Sequence, residues 1–146
     1  MVRTQRGSVM QAVPRVLRFA GAGFILLNGA LHLYLWDHAY RQTRVIGPLF
    51  VLNAVAALLI AVALLWKPEG ITALLGLALS AGTFGAFMLA VTVGLFGFIA
   101  GWDLKAVLAA VTEIGAVVVL GSWWVITRRK RGAPPMGERD EGGVLG

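Results

Sequence analysis

Polar and apolar positions along this chain come in blocks and do not alternate. Four runs, residues 19–36, 45–66, 70–102 and 106–127, carry no Lys, Arg or Asp, and Glu113 is the single Glu within them. A hydrocarbon core about 30 Å thick takes about 20 helical residues, so each run is long enough to cross it. A transmembrane strand would alternate in polarity over about 10 residues, which these runs do not. Only helices and closed barrels satisfy every backbone polar group in lipid. The pattern therefore predicts an all-α integral membrane four-helix bundle of up-down-up-down topology. Its spans are expected at 19–36, 45–66, 71–97 and 104–127. A basic arm of residues 1–18, whose first segment ends at Pro14, precedes them, and a basic, then disordered, tail of residues 128–146 follows.

The third run exceeds an upright span by about ten residues. Gly94, Gly97 and Gly101 punctuate its end, so the helix is expected to fray near Gly97 and residues 98–102 to lie in the interface. Trp36, Trp66, Trp102, Trp123 and Trp124 fall at or near span ends, as an aromatic belt would. The connections are short, so every sequential pair of spans should pack as neighbours. The eight-residue loop 37–44 makes a hairpin of the first two spans, and Asp37 and Arg41 within it are spaced to pair if the helix continues.

Composition strengthens this picture: 58% of the 146 residues are hydrophobic and 14% charged, against about 25% charged in soluble domains. Basic residues are distributed unevenly. Arg3, Arg6, Arg15, Arg18, Lys67, Arg128, Arg129, Lys130, Arg131 and Arg139 fall on one side of the predicted bundle, and Arg41, Arg44 and Lys105 on the other. That asymmetry places both termini in the cytoplasm. The net charge of +6 could point to nucleic acid, but the cluster Arg128, Arg129, Lys130 and Arg131 abuts a span, where anionic lipid head groups are the expected partner. No nucleic-acid-binding module accompanies it. A signal-peptide cleavage ending at Ala30 would need a small residue where Asn28 stands, so the first span is expected to be retained.

The chemistry lies inside the membrane. A carboxylate at mid-bilayer costs roughly 2.5 kcal/mol or more, so Glu113 should face protein or water. Its helical stripe, Ala106, Ala109, Ala110, Ala116 and Val117, is made of small residues, the mark of a close helix approach. The steps Ala78, Gly82, Ala86, Ala90 and Gly94 suggest a similar seam on the third span. Counted inward from the outer ends, Asn28, Asn53, Thr92 and Glu113 lie about 12 to 13.5 Å deep, one from each span. They form an expected polar layer. Two roles fit it: interhelical glue, at about 0.6 kcal/mol per bond, or a site that binds a proton, a cation or a polar head group. His32 shares a face with Asn28 and lies nearer the surface, either as a satisfied interfacial histidine or as a relay to Glu113 through Asn28.

No cofactor or metal site is expected. Ligation of haem by two histidines needs a second His at similar depth, and His38 is six residues from His32, on another face of the helix. The chain has no Cys, and no catalytic triad, paired-carboxylate motif or phosphate loop is present. The residues point to no enzyme.

Residues 29–36, Tyr40, residues 46–53 and 94–98, together with a Glu in the last span, resemble a group of small four-span integral membrane proteins of high-GC, actinobacterial-type bacteria. The resemblance implies a multi-pass protein of the bacterial cytoplasmic membrane and carries no activity. The expected function is a non-enzymatic binding or accessory subunit with a partner membrane protein or a second copy. The alternative is a small proton- or cation-coupled transporter using Glu113.

Overall fold

The computed structural model describes residues 3–131, with side chains from 14 to 129. Four α-helices follow in order: α1 (Arg3–Leu35), α2 (Ile46–Trp66), α3 (Gly70–Thr92) and α4 (Leu104–Arg131), with a π-helical turn, Trp36–Tyr40, continuing α1. All four are long and apolar enough to cross a membrane. They form a four-helix bundle in which each helix packs on the next and α1 also packs on α4. Large apolar side chains such as Leu52, Leu59 and Val118 point outward, which in a membrane protein is the lipid face. The tail expected to be disordered falls almost wholly outside the described residues.

Helix ends follow local chemistry. α1 runs through Pro14, so from Arg3 onward the basic arm is the first part of the same helix. Pro48 sits in the first turn of α2, where a missing N–H leaves nothing unpaired. α4 is capped by Asp103, whose Oδ1 accepts the Ala106 N–H at 2.7 Å.

α3 ends at Thr92, five residues before the expected fray. Gly94 adopts φ +84°, the left-handed conformation that closes helices cheaply only at glycine, and the N–H groups of Val93 and Gly94 both donate to the Leu89 carbonyl at 3.0 Å. A tight hairpin follows. Leu95 and Phe98 exchange backbone hydrogen bonds of 2.7 and 2.8 Å across Phe96 and Gly97, at φ +51° and +77°, the paired positive values of a type I′ turn. The Ala100 N–H then donates to the Ala90 carbonyl at 3.0 Å, which folds residues 93–103 back over the end of the bundle.

The contiguous apolar core lies in one half of the bundle. Its core consists of Ala22, Ile25, Ala57, Ala61, Leu64, Ala73, Ala116, Leu120 and Trp123. Trp123, expected in the aromatic belt, is buried here, whereas Trp66 is 86% exposed and fits the belt. Glycines set the closeness of this packing. A Cβ at Gly29 would lie 2.8 Å from that of Ala57, and one at Gly76 would lie 2.6 Å from Leu120 Cδ1. The seam of α3 differs in part from expectation: Ala90 is buried as expected, together with Ala73, Gly76 and Ser80, while Ala78 is exposed and Gly82 faces open space.

Candidate functional site

From the packed half toward the end closed by residues 93–103, the inward face of each helix reads in the same order. On α1 the core residues Ala22 and Ile25 give way to Asn28, then His32 and Leu35. On α2, Leu64, Ala61 and Ala57 give way to Asn53, then Phe50 and Ile46. α3 passes from Ala73 and Gly76 to Ser80, then Thr83, Phe87 and Ala90. α4 passes from Leu120 and Ala116 to Glu113, then Ala109 and Ala106. Steps of three and four residues keep each set on one face. Every helix thus offers an apolar core, one polar residue and then the wall of a cavity of about 270 Å³.

Three of the four residues of the expected polar layer are buried, and the fourth is not. Asn28, Asn53 and Glu113 are buried, at 0, 6 and 1% exposure. Thr92 is not with them: it is exposed on the last turn of α3, and its hydroxyl donates to the Met88 carbonyl at 2.7 Å. The early end of α3 explains the correction, because Thr92 then lies near the helix terminus. Ser80, at 0% exposure, is the member supplied by α3. One turn further on, Thr83 lines the cavity and donates to the Leu79 carbonyl at 2.9 Å.

The layer is not tied together by its own side chains. Both amide atoms of Asn28, both of Asn53, Ser80 Oγ and Glu113 Oε2 are buried without a hydrogen-bond partner. Such groups cost on the order of 1–3 kcal/mol each when left unpaired in proteins. Glu113 and Asn53 line the cavity directly.

His32 is buried beside Glu113 rather than linked to it through the Asn28 side chain. Its Nδ1–H donates to the Asn28 backbone carbonyl at 2.9 Å, and its Nε2 lies 3.8 Å from Glu113 Oε1. That separation is a close polar contact, longer than a hydrogen bond. Because Nδ1 holds the donor role, the neutral ring turns the bare Nε2 toward the carboxyl group. Phe50 supports the ring, with centroids 4.9 Å apart.

The cavity walls contain residues that block patterning alone does not identify. The π-helical turn brings in Tyr40. Five residues along an α-helix are rotated by about 140°, but an i to i+5 turn brings such residues back to one face, and Leu35 and Tyr40 both line the cavity. Tyr40 meets Phe50 at 4.9 Å and, edge to face, Phe98 at 5.3 Å. Phe87 and Trp102 form a second edge-to-face pair at 5.0 Å. Outside the cavity, Asp37 and Arg41 form the expected contact at 3.7 Å on the exposed surface. Among the described residues no group of three His, Cys, Asp or Glu could hold a metal ion.

Comparison with protein-family models, curated proteins and solved structures gives no match. The site's own chemistry therefore carries the functional reading.

Proposed function

We propose that this chain is a non-enzymatic binding protein of the bacterial cytoplasmic membrane. Its four helices run up-down-up-down with both termini inside, and the cavity faces the outer side. The cavity takes a small amphipathic molecule, with the apolar body against the aromatic walls and the polar head at Glu113 and Asn53. The observation that carries this reading is the pair of buried, unpartnered polar groups, Glu113 Oε2 and the Asn53 amide, at the wall of an otherwise apolar cavity. Ligand sites are typically apolar concavities with a few placed polar groups, of roughly 300–1,000 Å³. This cavity is near the lower limit, which suits a small molecule or one end of a larger one.

Native mass spectrometry of the purified protein tests the proposal. Wild type should release a bound small molecule, and Ala109→Phe, which fills the space one turn from Glu113, should release none. A wild type that carries nothing, together with a loss of stability on removing either Asn amide, would return the layer to the role of glue.

A second reading, proton- or cation-coupled transport, is favoured by the contact between His32 and Glu113. These groups sit close enough to exchange a proton after a small side-chain shift, and a bound cation would compete with that proton. Glu113→Gln should then abolish pH-driven flux in proteoliposomes while leaving assembly intact. An accessory role would use the exposed small-residue face of α3 at Ala78 and Gly82, which lets a partner helix or a second copy approach closely.

A further inference from the structure

From the charge and ring content of the cavity we infer that its ligand is an organic monocation: an ammonium or similar onium group attached to an apolar, aromatic-sized body. The inference rests on the binding reading above and names the ligand class for the same site.

Charge comes first. Two carboxylates line the cavity, Glu113 in its wall and Asp103 where residues 93–103 meet α4, and no Lys or Arg lines it. The cations near this end of the bundle, Arg41, Arg44 and Lys105, lie outside the cavity lining. Lys105 Nζ lies 5.6 Å from the Tyr34 ring centroid, and the Arg41 guanidinium sits 5.3 Å from the Trp36 ring, beside Asp37. His32 is the remaining titratable group next to Glu113, and its donor is committed to the Asn28 carbonyl. An anion would therefore meet two acidic groups and no Lys or Arg counter-charge, whereas a cation would meet Glu113 Oε2, which has no hydrogen-bond partner.

The rings come second. Tyr40, Phe50, Phe87, Phe98 and Trp102 line the volume, and their pairing is tilted or edge to face rather than stacked. Ring faces attract cations, most strongly where water is excluded, and are the usual means of recognising quaternary ammonium groups. A bare metal ion is a poorer fit, since the few oxygen-bearing side chains, among them Glu113, Asn53 and Asp103, stand on otherwise apolar walls and fall short of the full oxygen shell that a hard cation takes. Asn53 provides a neutral acceptor and donor beside the carboxylate, suited to an N–H or a hydroxyl on the same head group.

Titration calorimetry on the full chain in phosphatidylcholine nanodiscs decides the question with three probes of similar bulk: benzyltrimethylammonium, neutral N-benzylacetamide and anionic phenylacetate. The cation should bind at least about tenfold more tightly than the amide, the order expected for a desolvated cation on aromatic faces, and phenylacetate should not bind. Glu113→Gln should bring the cation down to the level of the amide, and Ala109→Phe should abolish binding of both. Amide binding equal to or tighter than that of the cation would overturn the inference and leave the binding reading intact. If no probe binds, both fall together. Cation binding that survives Ala109→Phe would place it outside the cavity and also overturn the inference. The wild-type comparison needs no variant, and Asp103→Asn keeps the helix cap while removing the second charge, so a folding failure of Glu113→Gln leaves the outcome decided.

Discussion

Asn28 offers a test of whether the polar layer acts as a clasp. Its side chain is fully buried and neither amide atom is paired, while its backbone carbonyl is occupied by His32. Leucine has nearly the same bulk and no polar atoms to leave unsatisfied. Asn28→Leu should therefore stabilise the ligand-free bundle by about 1 kcal/mol, the lower end of the cost of an unpaired buried amide, in a reversible denaturation assay in mixed micelles. A destabilised variant would reveal a partner for the amide. Ser80→Ala should act in the same direction with a smaller effect, since only one hydroxyl is relieved. Glu113 could be singled out from sequence because an acid in a run of 22 residues with no other charge stands apart. Ser80 could not, since one hydroxyl in lipid is unremarkable until its burial is known.

At the scale of elements, the contact between α2 and the π-helical turn controls the cavity wall. A Cβ on Gly47 would lie 2.5 Å from the Tyr40 carbonyl oxygen, a backbone atom that cannot swing aside. Gly47→Ala should push the first turn of α2 away from Tyr40, cost about 1–3 kcal/mol through overpacking, and weaken ligand binding as Tyr40 is displaced. Gly82→Ala, in open space, is the control. It should be neutral or stabilising by up to about 1 kcal/mol, the difference in helix propensity. The two glycines look alike in sequence, and the same ambiguity misplaced the α3 seam. Small residues recur at helical spacing on more than one face of α3, so spacing alone does not choose which face packs; the burial of Ser80 does. The four spans themselves were legible because hydrophobic blocks of membrane length leave the backbone few alternatives. The end of α3 was legible only to within several residues. Any of its three closing glycines could stop a helix, and the hairpin at Phe96 and Gly97, which makes Gly94 the stop, is a tertiary feature. The π-helical turn carried no signal, because it depends on the Tyr40 carbonyl meeting a residue without a side chain on the neighbouring helix.

At the scale of the whole molecule, the packed half and the cavity half sit at opposite ends of the bundle, so membrane orientation decides which compartment supplies the ligand. The cavity end carries Arg41, Arg44 and Lys105, while Lys67, Arg128 and Arg129 lie at the other end. With Arg15 and Arg18 also at the packed end, its greater basic content is the ground for the proposal that this end faces the cytoplasm. Because the chain contains no Cys, a single substitution supplies the only thiol, and labelling reports one position at a time. Gln42 and Lys67 are both exposed, one beside the cavity mouth and one in the connection at the opposite end. Gln42→Cys should react with a membrane-impermeant maleimide in intact cells, and Lys67→Cys should react only after the membrane is permeabilised. The reverse pattern would turn the cavity toward the cytoplasm and make its ligand an internal metabolite. Equal labelling of both in intact cells would contradict a bundle that spans the membrane in a single orientation. In the expected orientation an external cation reaches Asp103 first and Glu113 last. Benzyltrimethylammonium added outside should then slow maleimide labelling of a cysteine placed at Ala100, within the cavity wall, and leave Gln42→Cys unaffected.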